Sequence, residues 1–592
     1  MTFARKDADR ADLVGEPAPD PAARRLDTVR RWLTSTPVLL TGLVAVSVLV
    51  GTQLVPTSAA AQRERERSPD LACADVAKEV GLTFRGEYGE IYPHGGGNSS
   101  IMQRDMGNGA AVGDYDGDGW LDVFLGGQAG RPSKLFRNVA GDGGSRRFED
   151  VTERAGLASV ISNVRVAQFV DLNGSGWPDL VLAADYHSEK SIGGPSKIFR
   201  NRGDGTFEDV TAGSGFTPEG YIVGGMTFAD FDHSGRQSIY VSYWTQELAG
   251  DPGLTRVVGI FPGMNRLYRN LGDYRFEDVT VAVGLGETHA DSFSAVFADF
   301  TGDDWPDIYQ ASDHRPDRFF ENRGDGTFKD RSREAGILER AGNSMGVTAA
   351  DLSGSGSIDL YITQITDPGR RFGNNTGNTL MISRRGAEGT TEFQDDAVAR
   401  GIEDTAWGWG TAFVDANLNG PLDLFSVQGM RVFVSGSSTY LEHARSKMFI
   451  NDGTNMTFTI AENTGCDIRG DQRALVVFDY NRDGSPDFLI TQVNEPTVLL
   501  ENLISGPTWL TVAPTGKADA GINARVSVTV ADLTVTQIVL AGGSYLAGPP
   551  REVYFGLAGA PTADRVRIEW ADGSATELEN VPANQVLTVA HP

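Results

Sequence analysis

Gly113-Asp114-Tyr115-Asp116-Gly117-Asp118-Gly119-Trp120-Leu121-Asp122 places carboxylates at positions 1, 3, 5 and 9 of a nine-residue loop. Two glycines allow the turn to aim those side chains inward. Calcium takes six to eight oxygens at about 2.3–2.6 Å. Asp114, Asp116, Asp118 and Asp122, with the carbonyl of Trp120 at position 7, supply most of such a shell. Apolar residues flank the loop, Ala110 to Val112 before it and Leu121 and Val123 to Leu125 within and after it. That setting predicts the turn of a β-hairpin. An EF-hand loop would lie between helices and carry a glutamate at position 12.

The loop recurs six times. The copies carry Asp171, Asn173, Ser175 and Asp179; Asp230, Asp232, Ser234 and Ser238; and Asp299, Thr301, Asp303 and Asp307. Then come Asp351, Ser353, Ser355 and Asp359; Asp415, Asn417, Asn419 and Asp423; and Asp479, Asn481, Asp483 and Asp487. Successive first aspartates stand 57, 59, 69, 52, 64 and 64 residues apart. Oxygen-bearing residues persist at positions 1, 3, 5 and 9 while their neighbours vary, which a plain turn would not require. The spacing predicts a repeat architecture of short strands, a propeller or solenoid.

A second phrase alternates with the loops. Phe148-Glu-Asp-Val-Thr152 returns at Phe207, Phe276, Phe328 and Phe393, and loosely at Phe458. Between loop and phrase runs an apolar strand ending in asparagine, as in Leu135-Phe-Arg-Asn138, Ile198-Phe-Arg-Asn201, Leu267-Tyr-Arg-Asn270 and Phe319-Phe-Glu-Asn322. Four strands in roughly sixty residues make one blade. The predicted fold is therefore all-β, a seven-bladed propeller with calcium hairpin loops over residues 73–505. Residues 506–592 alternate apolar and polar in short runs and predict a small C-terminal β domain. After the seventh loop no Phe-x-Asp-Val-Thr phrase follows, but Cys73-Ala-Asp-Val-Ala77 precedes the first loop. Residues 73–77 are thus expected to complete the last blade. Cys73 and Cys466 are candidates for a disulfide there, the alternative being two unpaired buried thiols.

Residues 1–36 are polar, arginine- and proline-rich and without apolar periodicity, the composition of a disordered cytoplasmic tail. Residues 37–55 follow as an N-terminal hydrophobic helix; Val38 to Val55 contains no charge and is about long enough to span a bilayer. Arg24, Arg25, Arg30 and Arg31 lie before it, and a mixed-charge linker, 56–72, lies after it. The positive-inside bias then makes it a single-pass signal anchor with the repeats outside the cell membrane. Cleavage near Ala59-Ala-Ala61, giving a secreted protein, is the alternative. Of the net charge of −27, eighteen carboxylates belong to the loops, and seven divalent ions would cancel about half of it. So acidic a chain is not built for nucleic acid.

The loops resemble the FG-GAP calcium repeats of integrin α-chain propellers. The C-terminal part resembles the ASPIC/UnbV domain, through Ala524-Arg-Val-Ser-Val528, Gly542-Gly-Ser-Tyr-Leu546, Tyr554-Phe-Gly-Leu557 and Val566-Arg-Ile-Glu-Trp-Ala-Asp-Gly573. The combination, over about residues 73–592, is similar to bacterial UnbV-type proteins related to cartilage acidic protein. That resemblance implies calcium binding and a link to enediyne-type natural-product biosynthesis. The turn Ala518-Asp-Ala-Gly-Ile-Asn523 departs from the basic, glycine-rich entry usual in such domains.

Signatures of catalysis are weak. Gly342-Asn-Ser344-Met-Gly346 has the spacing of a nucleophile elbow but runs into the strand before Asp351, where an elbow needs a helix. His94, His187, His233, His289, His314, His443 and His591 form no close-spaced metal set. Arg-Gly-Asp at 202–204 and 323–325 lies inside Gly-Asp-Gly turns, good hairpin chemistry. The leading expectation is a membrane-anchored calcium-binding propeller that serves as a binding or accessory protein for an unidentified protein or small molecule. The alternatives are an enzyme with its site on a propeller face, and integrin-like adhesion.

Overall fold

The computed structural model describes residues 71–86, 106–128, 131–160, 162–187, 192–218, 221–246, 265–286, 291–338, 341–366, 377–386, 389–429, 433–434, 437–438, 444–453 and 455–592. The disordered tail and the hydrophobic helix expected before residue 56 lie outside these residues, as does most of the linker.

Each of the first six repeats folds into four antiparallel strands in chain order. In the first repeat Ala110–Gly113, Asp122–Leu125, Lys134–Ala140 and Arg146–Asp150 pair successively. Six further sheets of this kind are built on Asn163–Val170, Tyr221–Ala229, Asp291–Ala298, Val347–Asp351, Gly408–Val414 and Gln472–Phe478 as first strands. The first strands of successive sheets lie against one another, and that of the seventh lies against that of the first. The described residues thus form an all-β, propeller-like circuit.

Burial follows from the stacking. The first two strands of each repeat meet neighbours on both faces and read as continuous apolar runs; Ala110–Gly113 and Asp122–Leu125 are buried throughout. The third and fourth strands alternate, and Phe148, Phe207 and Phe328 are the buried residues of theirs. The Asp-Val-Thr phrase ties the two together: Asp150 accepts the Thr152 N–H, and Thr152 Oγ1 accepts the Leu135 N–H at 3.0 Å.

The seventh sheet takes its fourth strand from the other end of the chain. Cys73–Asp75 pairs antiparallel with Val498–Asn502, Cys73 opposite Asn502, as the repeat phrase implied. Without it the edge of Val498–Asn502 would be unpaired. Cys73 and Cys466 are disulfide-bonded, with Cα atoms 5.0 Å apart and a sequence separation of 393.

The C-terminal strands form two sheets over a shared core that includes Leu510, Val526, Phe555, Val566 and Trp570. Leu533–Ile538 pairs with Ala350 and Asp351, so one of these sheets continues the fifth repeat. Between Leu533–Ile538 and Val553–Gly556 the chain enters the middle of the circuit. Ala541 O accepts the Phe228 N–H of the third repeat, Ser544 Oγ accepts the Thr411 N–H of the sixth, and Ala547–Gly548 pairs with Ala110–Ala111 of the first. Tyr545 is buried there, 4.6 Å from Trp409 and 5.5 Å from Phe293 between ring centroids, with its hydroxyl donating to Met106 O. Gly542 and Gly543 have φ of +114° and +102°, and a Cβ on Gly542 would lie 2.2 Å from Met226 O. Only glycine passes here.

Candidate metal centre

All seven loops share one backbone course. Positions 4 and 6 are left-handed in each: Gly117 and Gly119, Gly174 and Gly176, His233 and Gly235, Gly302 and Asp304, Gly354 and Gly356, Leu418 and Gly420, Arg482 and Gly484. A side-chain-bearing residue in that conformation costs ~1–2 kcal/mol, so the four that are not glycine mark positions where the surroundings impose the turn. The carboxylate at position 1 accepts the N–H groups of positions 5 and 6 at 2.7–3.2 Å in every loop. The carboxylate at position 9 sits at the start of the second strand. One oxygen accepts the N–H of position 2 and the other the N–H of the third-strand asparagine, as Asp122 does from Tyr115 and Asn138. Asp179, Asp423 and Asp487 repeat both bonds. In the third loop Ser238 Oγ accepts the Asn270 N–H at 3.2 Å and brings no charge.

The oxygens left over converge. In the first loop Asp114, Asp116 and Asp122 each present an oxygen within 4.8 Å of the others, the one such group of three among the described residues. Asp116 Oδ1 is buried without a hydrogen-bond partner, and so are Asp232 Oδ1 at position 3 of the third loop and Asn419 Oδ1 at position 5 of the sixth. A buried oxygen that accepts nothing is costly; a hard cation bound among carboxylates satisfies it. These donor sets fit calcium. Asp118 stands apart from the trio and pairs with Arg137 at 2.9 Å, and Arg137 also reaches Asp116 at 2.5 Å. Arg269 pairs with Asp232 in the same way, at 3.0 Å. The Trp120 N–H donates to Asp118, and the Arg146 guanidinium lies 3.6 Å over the Trp120 ring.

The carboxylates are electrostatically loaded. Burial pushes Asp179, Asp415 and Asp479 up to about 7 and Asp359 up to about 6. Asp122, Asp307, Asp423 and Asp487 go well above the usual range, burial first; the adjacent Asp415 adds to it at Asp423, and Asp479 at Asp487. Asp114, Asp230, Asp299 and Asp351 are raised by burial too. A cation among such carboxylates would offset the cost of burying their charge and relieve their mutual repulsion.

The recurring asparagine couples one loop to the next. Asn201 Nδ2 donates to Pro178 O of its own loop and to Tyr115 O at position 2 of the preceding one. Asn138 reaches Leu121 O and Tyr480 O, Asn270 reaches Gln237 O and Leu172 O, and Asn322 reaches Pro306 O and Phe231 O. Asn502 reaches Ala416 O. The pattern was visible in the sequence as a strand ending; the partner was not, being a backbone carbonyl 86 to 98 residues back in the chain or, for Asn138, 342 residues ahead.

The C-terminal strands lie against these loops. Asp519 Oδ2 accepts the Asp171 N–H and pairs with Arg551. The Gly556 N–H donates to Asp415 Oδ2 at 2.9 Å, and Arg482 makes two bonds to Glu552 at 2.6 and 2.8 Å. No sequence signal separates these contacts from ordinary surface polarity.

Comparison with known proteins finds relatives of both modules. Residues 114–182, 171–241, 253–310 and 299–362 match the FG-GAP-like repeat family, and residues 514–592 match the ASPIC and UnbV family. Cartilage acidic protein 1 of Mus musculus is 23% identical over 509 residues, covering 82% of this chain and 74% of its own length. The Homo sapiens protein is 22% identical over 509 residues, covering 82% and 72%. Among solved structures, an Agrocybe aegerita lectin that recognises non-reducing terminal N-acetylglucosamine aligns over 67% of this chain and 90% of its own, at 17% identity and a TM-score of 0.36, too loose to bear on function.

Proposed function

We propose that this chain, an FG-GAP repeat protein with a C-terminal ASPIC and UnbV domain and homologous to cartilage acidic protein 1, is an extracytoplasmic calcium-binding protein. Its seven repeats are the blades of a propeller, and it acts as a binding or accessory protein without catalysis of its own. Calcium is structural in this reading: each ion takes up the carboxylates of one hairpin and fixes its left-handed turn. The observation that carries it is the convergence of Asp114, Asp116 and Asp122 within 4.8 Å with a buried Asp116 oxygen left without a partner. An exported setting suits such loops, because calcium-rich media fill weak sites, and it suits the Cys73–Cys466 disulfide. Residues 37–55 anchor the chain in the membrane.

The loops are not equal. Three converging carboxylates make the first the tightest, and Ser238, which brings no charge at position 9, makes the third the weakest. Calorimetric titration of the full chain with calcium, wild type against Asp122→Ala and Ser238→Ala, tests both statements. The aspartate substitution is expected to remove a high-affinity site and the serine substitution to change little. A wild-type protein that binds no calcium refutes the function; a greater loss from Ser238→Ala refutes the order.

A further inference from the structure

The face that carries the metal loops is also the seat of the C-terminal domain. Position 1 of the second loop reaches it through the Asp171 N–H on Asp519. The third loop reaches it through Gln237 Nε2 on Asp519 O at 3.2 Å, and the fifth through Gly356 O, which accepts from Arg525 at 2.7 Å. In the sixth loop Gly556 sits so close that a Cβ there would lie 2.3 Å from the Leu418 carbonyl carbon, and its N–H bonds Asp415. In the seventh loop Arg482 grips Glu552 with two hydrogen bonds while a third reaches Gly119 O of the first loop.

Three of these loop groups, at Asp171, Gly356 and Leu418, are backbone, and Arg482 is a side chain aimed by the backbone at position 4; Gln237 and the Asp415 carboxylate add two further side chains. Leu418 and Arg482 occupy that position in the left-handed conformation, at φ 55° and 58°, where four of the other loops have glycine and the third has His233. Their placement depends on the loop wrapping its own carboxylates. Seating in turn fixes the segment that enters the circuit, since Tyr545 lies between Gln537, bonded to Tyr554 O, and Glu552, held by Arg482.

Resting on the calcium reading above, we propose that ions in these loops latch the C-terminal domain onto the repeats, so that metal occupancy controls whether Tyr545 closes the centre of the circuit. An emptied loop leaves carboxylates facing one another; its turn relaxes, and the amides and carbonyls that meet the domain move together. Because such coupling is reciprocal, seating the domain tightens the loops for calcium.

Hydrogen exchange on the full chain in detergent, with calcium and after chelation, tests the latch. Amides of residues 541–556 are expected to exchange at least tenfold faster once calcium is removed, while those of Asp122–Leu125 stay protected. Glu552→Gln is expected to produce the same loosening with calcium present and the calcium stoichiometry unchanged. Arg482→Gly, which suits the left-handed turn and removes the bridge, gives a second variant free of folding strain. Unchanged exchange over 541–556 after demonstrated loss of calcium overturns the latch and leaves the calcium reading standing. A full chain that binds no calcium overturns both.

Discussion

Chelation should expose a fall of stability with rising pH that calcium suppresses. In the metal-free protein Asp179, Asp415 and Asp479 titrate near 7, raised above 3.8 chiefly by burial. Between pH 5 and 7 the folded state therefore holds protons that the unfolded chain has already released. The unfolded state binds fewer protons, so stability falls as pH rises through this window. From pH 5.0 to 7.5 each such group removes about 2.5 kcal/mol. About 520 residues unfolding with an entropy of ~2.1 cal/mol/K each give ~1.1 kcal/mol/K, so one group lowers the melting temperature by ~2 °C and three by ~7 °C. Calcium abolishes the trend, because the ion replaces the proton and competes better as pH rises. For Asp150 and Asp209 burial is outweighed by lysine and threonine hydrogen bonds, so they lie below the usual range and titrate outside the window. Differential scanning calorimetry at pH 5.0 and 7.5, in calcium and in a chelator matched for ionic strength, measures the effect. A chelated protein that melts at the same or a higher temperature at pH 7.5 refutes the reasoning.

Two further perturbations probe the closure of the circuit. The Cys73–Cys466 bridge spans 393 residues, for which the chain-entropy relation gives at most ~6 kcal/mol; replacing both cysteines by serine should lower the melting temperature by up to ~5 °C, and an unchanged melt would show that strand pairing at Cys73–Asp75 already suffices. Asn201→Ala leaves Tyr115 O and Pro178 O without their buried donor and should destabilise by ~2–4 kcal/mol, read from denaturant unfolding; a loss below ~1 kcal/mol would mean that neighbouring loops are not coupled through asparagine.

Much of this protein is local and therefore legible in its sequence. A repeat of about sixty residues must bury the same strands against its neighbours each time, so the apolar runs, the Gly-Asp-Gly turns and the Phe-x-Asp-Val-Thr phrase recur with a period that the eye can follow. Asp114, Asp116 and Asp122 lie within nine residues, and their convergence needs only the hairpin between them. Even the pairing of Cys73–Asp75 with the last repeat was implied, because a phrase missing at one end of the chain appears at the other.

What the tertiary structure decided is non-local. Asn138 donates to Tyr480 O across 342 residues, and Gly556 donates to Asp415 across 141; no spacing encodes such partners, since any strand could in principle face any other. In the sequence Gly542-Gly-Ser-Tyr-Leu546 is only one of the phrases that carry the resemblance to ASPIC/UnbV domains. Only the assembled circuit makes clear that its two glycines clear the backbones of other repeats and that Tyr545 packs against Trp409 in the centre. Period, turn and ligand spacing are properties of a short length of chain; the seat of one module on another depends on which surfaces meet once every strand is in place.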